Sequence, residues 1–118
     1  MGAPKAVNLR TGTVFANHVD IADTFLKKTR GLLGRAGLNG EEALLIPECG
    51  SIHTFFMRFA IDVLFLDKQN RVTKIISSLS PFRIALGPWG TRGVLEMQCG
   101  LLEKCDVIKG DSISFINP

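Results

Sequence analysis

From Ala43 to Ile116 the apolar residues follow the alternation of β-structure, with no helical stretch between them long enough to form a crossover. Six segments read as strands: Ala43–Pro47, Ser51–Met57, Ile61–Asp67, Val72–Leu79, Val94–Cys99 and Ser112–Ile116. A βαβ fold needs a helix between successive strands, so this density favours a mainly β architecture, an antiparallel β-sandwich or barrel. At 118 residues the chain fits one hydrophobic core, and residues 1–118 are expected to form a single domain.

The N-terminal third adds smaller pieces. Ala6, Val7 and Leu9, then Thr13 to Ala16, read as two brief strands joined by a tight turn at Gly12. The period then becomes helical. Ile21, Ala22, Phe25, Leu26, Leu32 and Leu33 recur at spacings of three and four, with Asp20 as N-cap and Gly34 as terminator. This one helix is expected to pack on an open end or face of the sheets. Asn70, before Arg71, is suited to the left-handed position of a hairpin between Asp67 and Arg71. Pro81 to Gly93, rich in Gly and Pro around the only tryptophan, Trp89, reads as a long ordered loop with a short strand at Arg83–Leu86. One helical turn is expected over Gly100–Cys105, and Gly110-Asp111 turns into the last strand.

Charge and cysteine content narrow the partners. The formal charge of +3 is spread along the chain, and only Lys27, Lys28, Arg30 and Arg35 come close together, on the expected helix and without interleaved aromatics. That pattern reads as a solvated helix face and speaks against nucleic acid as partner. No apolar run approaches the roughly 20 residues of a membrane span, and Met1 to Thr13 lacks a signal-peptide core. A cytoplasmic location is expected, although an exported chain that had lost its leader would read the same. Cys49, Cys99 and Cys105 are odd in number and lack CxxC spacing, so they read as reduced, mostly buried thiols. No metal and no cofactor are expected, because the possible ligands do not converge.

The residues with chemical potential lie mainly in Ser51 to Asp67, where a histidine and an aspartate interrupt apolar sequence. Both faces of Ser51–Met57 are mainly apolar, which predicts a central strand with His53 and Met57 in one layer. His53 is then either a core histidine bonded to a backbone carbonyl or the polar group of a pocket. Asp62 is either a partly buried acid or an anchor that bonds nearby amides. A simple hairpin between the two strands would set Asp62 opposite Phe56, too far from His53 for a direct pair. Glu96 alternates with Val94 and Gln98 and is expected on a half-exposed strand face, in water; if that face lines a cleft, Arg30 or Arg58 could pair with it. His53, Asp62 and Glu96 are therefore the candidate catalytic groups, and Arg30, His53, Met57, Glu96 and Trp89 the candidate ligand-binding set.

The blocks Thr29 to Arg35, Cys49 to Met57, Ile61 to Asp67 and Val94 to Met97, together with Gly100 and Gly110-Asp111, resemble in order and content the domain-of-unknown-function family 192. The likeness spans roughly residues 20–116. It implies a compact, mainly β domain, an antiparallel β-sandwich or jelly-roll-like barrel, with the arginine-bearing helix at its side. It also implies that Arg30, His53, Met57, Asp62, Glu96 and Asp111 occupy the family's recurring positions. Many relatives read Trp-Met-Lys-Asn-Thr where this chain has Phe56-Met57-Arg58-Phe59-Ala60, so any role of that Asn-Thr pair is missing here. The family name carries no activity. Three functions follow from the residues: a module binding a small ligand, peptide or glycan in a pocket around His53; an accessory protein that binds a protein partner through a sheet edge or loop; and a hydrolase or isomerase with His53 as acid/base. The order of preference is binding, accessory, enzyme, because no nucleophile stands beside His53.

Overall fold

In the computed structural model, residues 3–22, 41–54 and 57–117 are described. They form ten strands: β1 (Lys5–Asn8), β2 (Thr13–Ala16), β3 (His18–Ile21), β4 (Glu42–Pro47), β5 (Ser51–His53), β6 (Ile61–Asp67), β7 (Val72–Leu79), β8 (Ile84–Leu86), β9 (Thr91–Gln98) and β10 (Ile113–Ile116). A 3-10 turn, Leu102–Lys104, follows β9.

The main sheet has five strands in the order β3-β4-β9-β6-β7. Its inner strands are covered on both faces, which is why β6 reads Ile-Asp-Val-Leu-Phe-Leu with all six residues buried. One face carries Ala43, Leu64, Leu66, Leu95 and Met97, and packs with Ala6, Phe15, Ala16 and Ile113 of the three-stranded sheet β10-β1-β2. The other face carries Leu44, Ile46, Ile61, Val63, Phe65 and Val94, and packs with Ile52, Met57 and Ala85. Ile52 and Ala85 belong to a separate two-stranded ribbon, β5-β8, paired as Ser51 with Leu86, Ile52 with Ala85 and His53 with Ile84. The described residues thus make three layers, with the five-stranded sheet between the other two.

The hairpin β6-β7 forms as expected. Asn70 has φ 60°, and the Asp67 carboxylate accepts the Gln69 and Arg71 backbone N–H groups at 2.8 and 2.9 Å. β1 and β2, the short strand β8 and the turn after β9 also fall where the sequence places them.

Four expectations need correction. The pairing is not wholly antiparallel, since β3 runs parallel to β4, and the sheets are open rather than closed into a barrel. Asp20 is not a helix cap. It lies in β3 with Ile21, because His18 to Ile21 pair residue by residue with Glu42 to Leu45. No α-helix occurs among the described residues, and the rest of the expected helix, including Arg30, lies outside them. Finally, Ser51–Met57 is not one central strand: its strand ends at His53 and pairs only with β8, while β6 pairs with β7 and β9, so Asp62 does not face Phe56 across a hairpin.

Candidate functional site

Asp62, the second residue of β6, is fully buried, and both its oxygens are engaged by backbone. The Ser78 N–H donates to Oδ1 at 2.9 Å, and the Gly100 and Leu102 N–H groups donate to Oδ2 at 3.0 Å each. The register of β6 against β7 slips at this point, Ile61 facing Leu79 and Val63 facing Ile76, and Ser78 takes φ 59°. Asp62 therefore clasps a β-bulge in one neighbour and the exit of β9 in the other. These bonds are those of the amide-bonding anchor, one of the two alternatives for Asp62, with the acid fully rather than partly buried.

Glu96 is not in water. It is 3% exposed, lies opposite Leu44 of β4 and Val63 of β6, and burial pushes its carboxyl up to about 7. The sequence pattern suggested a solvated face because Glu96 alternates with Gln98. The structure buries that face beneath the layer containing Met57 and Ile52.

His53 and Met57 do not share a layer. Ile52 and Ala85 face the buried cluster, so their alternates Ser51, His53, Ile84 and Leu86 face outward, and His53 is exposed while Met57 is buried. His53 also stands on the opposite side of the ribbon from the layer containing Glu96. Trp89 is fully exposed three residues beyond β8. Of the five candidate ligand-binding residues, His53 lies on the outward face of the ribbon opposite Ile84, Trp89 lies in the loop beyond the other end of β8, Met57 and Glu96 are buried, and Arg30 is outside the described residues. Cys99, expected to be buried, is exposed, with its sulfur 3.0 Å from Ser78 Oγ. Among the described residues no three His, Cys, Asp or Glu side chains stand close enough to hold a metal ion.

The outward apolar residues of this ribbon were not singled out from sequence. Phe82, Ile84 and Leu86 are 60, 63 and 64% exposed. Ile84 and Leu86 stand at alternate positions of β8, the period-2 signature of one strand face, and that spacing could have revealed them, whereas Phe82 precedes the strand with φ 62°. The ribbon is held firmly from below. Buried Thr54 donates its N–H to the Arg83 carbonyl and its hydroxyl to the Ser80 carbonyl, while Oγ1 accepts the Arg83 N–H. The Gly87 N–H donates to the Gly50 carbonyl at 2.8 Å. With Arg83 and Gly87 bonded across to β5, the alternation of an antiparallel ladder turns the N–H and C=O groups of Ile84 and Leu86 to the other edge of β8. Among the hydrogen bonds of the described residues, that edge receives the Lys74 ammonium, at 3.0 Å from the Leu86 carbonyl.

Comparison with known proteins adds a family to this geometry. The family model DUF192, described as an uncharacterized ACR, matches residues 6–115. The chain belongs to DUF192. A UPF0127 protein of Thermococcus gammatolerans is 36% identical over 113 residues, covering 92% of this chain and 73% of the relative. A second, from Pyrococcus horikoshii, is 34% identical over 112 residues and covers 92 and 96%. A crystal structure of a protein of unknown function from Novosphingobium aromaticivorans shares the fold at TM-score 0.82 and 24% identity, covering 94% of this DUF192 chain and 83% of its own. The match begins near β1, so the first two strands belong to the family domain as much as the blocks from residue 20 onward.

Proposed function

We propose that this DUF192 domain is a binding module whose ligand is an extended segment of another protein, received at the β5-β8 ribbon. The observation that carries the reading is the combination on β8 of a backbone edge that pairs with no other strand among the described residues and the outward side chains of Ile84 and Leu86, with exposed Phe82 just before the strand. An extended peptide satisfies both: its main chain pairs with the edge, and its alternate side chains cover the apolar row. A lipid surface would cover the side chains but leave the strand edge without partners. His53, opposite Ile84 on the same outward face, and Trp89 in the loop after β8 are the candidate residues that fit this surface. Less supports a closed pocket around His53, a small-molecule or glycan ligand, or hydrolase or isomerase chemistry. His53, Asp62 and Glu96 stand in three different environments, and Asp62 already spends both oxygens on backbone amides.

Selection of a displayed library of nine-residue peptides on the wild type and on an Ile84→Ser, Leu86→Ser variant tests this. Both side chains are exposed, so the variant should keep its fold, as circular dichroism would report. Enrichment of alternating apolar sequences on the wild type alone, with a blue shift of Trp89 fluorescence on binding, is the expected result. Equal enrichment on both proteins, or none on either, would overturn the reading.

A further inference from the structure

The stretch of chain that carries β8 has a pronounced charge bias. Between Asp67 and Glu96 the sequence contains Lys68, Arg71, Lys74, Arg83 and Arg92 and not one acidic residue. This stretch makes β7, β8, the loops beside them and the first part of β9. Two features, one within this stretch and one where it meets Lys109, place positive charge beside β8. Lys74 stands opposite Phe65 in the β6-β7 register, its ammonium 5.8 Å from that ring's centre and bonded to the Leu86 carbonyl at 3.0 Å. The ring and the carbonyl hold the ammonium at the open edge, and it has donors to spare for a second acceptor. Beyond the Trp89 loop, a cleft of about 350 Å³ runs between Pro88 and Arg71, Thr73 and Lys109. Its one acid, Asp67, is already paired with Arg71 at 3.1 Å, so Lys109 adds positive charge that no acid in the cleft offsets.

Resting on the peptide-docking reading, we infer that the segment bound at β8 is acidic, with a carboxylate at Lys74 and further acids directed toward the Pro88–Lys109 cleft. A lysine at a strand edge discourages indiscriminate pairing. Here the same ammonium rewards a strand that carries the opposite charge. The bias also argues against a second copy of this chain as occupant. A two-fold contact would set the same patch against itself, Lys74 and Arg83 against Lys74 and Arg83, and like charges across an interface are costly.

Three synthetic peptides distinguish the outcomes. Each has six residues alternating valine and threonine, followed by two aspartates, two serines or two lysines, and binding is followed by Trp89 fluorescence. At low salt the aspartate peptide should bind on the order of tenfold more tightly than the serine peptide, and the gap should close near 0.5 M salt. Lys74→Glu with Lys109→Glu should reverse the preference toward the lysine peptide. Equal binding of the aspartate and serine peptides, with binding still lost in the Ile84→Ser, Leu86→Ser variant, would overturn the acidic partner and leave the docking surface standing. Binding of all three that ignores Ile84 and Leu86, or no binding at all, would overturn both.

Discussion

At the scale of single residues, three carboxylates that look alike in the sequence have opposite tasks. Asp62 is buried but saturated by three backbone donors, so replacing it leaves amides without an acceptor. Asp62→Asn should cost about 2–3 kcal/mol and lower Tm by about 10 °C. Asp20→Asn, which disturbs the exposed His18–Asp20 pair, should cost under about 1 kcal/mol when both variants are compared by urea titration. Glu96 is buried without such donors among the described residues, and burial raises its carboxyl to about 7 from an ordinary 4.5. The folded state therefore binds a proton more readily than the unfolded chain between those values. This contribution is fully present below about 4.5 and is lost as pH rises through about 7. The loss amounts to about 3 kcal/mol. Urea midpoints of wild type and Glu96→Gln measured from pH 5 to 8 should diverge as pH rises, with the glutamine variant the more stable at pH 8. Parallel curves would refute a buried, proton-holding Glu96. Asp67 and Asp111 act at the acid end: backbone donors with Arg71 lower the first despite its partial burial, and Arg10 lowers the second, so their contribution disappears only as pH falls below the ordinary carboxylate range.

At the scale of elements, the ribbon β5-β8 depends on a close approach rather than on a long ladder. A Cβ on Gly87 would come within 2.6 Å of Thr91 Oγ1 and 2.8 Å of Phe65 Cδ1, so only glycine lets the end of β8 sit down on the sheet. Gly87→Ala should destabilise the protein by about 1–3 kcal/mol and shift the Trp89 loop. A changed Trp89 fluorescence lifetime together with weakened peptide binding is the expected signature; an unchanged lifetime would mean that the loop adjusts without moving. The element-level mismatches with sequence expectation have the same source. Ser51–Met57 is apolar at alternate and at intervening positions, which reads as a strand buried on both sides. In the structure only the Ile52 side is buried, because β5 pairs with an equally short β8 instead of entering the main sheet. β6 and β7 were legible to the residue, since the turn at Asn70 and the uninterrupted apolar run are both local signals.

At the scale of the molecule, a five-stranded sheet supports two unequal coverings. β4, β9 and β6 lie inside it, whereas the ribbon is a two-stranded piece held by Thr54, Gly50 and one buried row. Hydrogen exchange should accordingly be slowest for amides of β6 and β9 and several orders of magnitude faster for Ile84 and Leu86, whose N–H groups point to the open edge. Uniform protection across both would show that the ribbon edge is covered. The sequence alone determined what depends on neighbours along the chain: the β class, most strand limits, the hairpin at Asn70 and the family blocks around His53 and Glu96. It also identified Asp62 as a candidate anchor. Tertiary structure decided which face each strand shows, and so reversed the expected settings of His53 and Glu96. Alternation tells a strand's two sides apart but does not say which side meets another layer. That depends on pairing between distant segments, as when β9 inserts between β4 and β6 and buries Glu96, while β8 caps β5 and leaves His53, Ile84 and Leu86 facing outward.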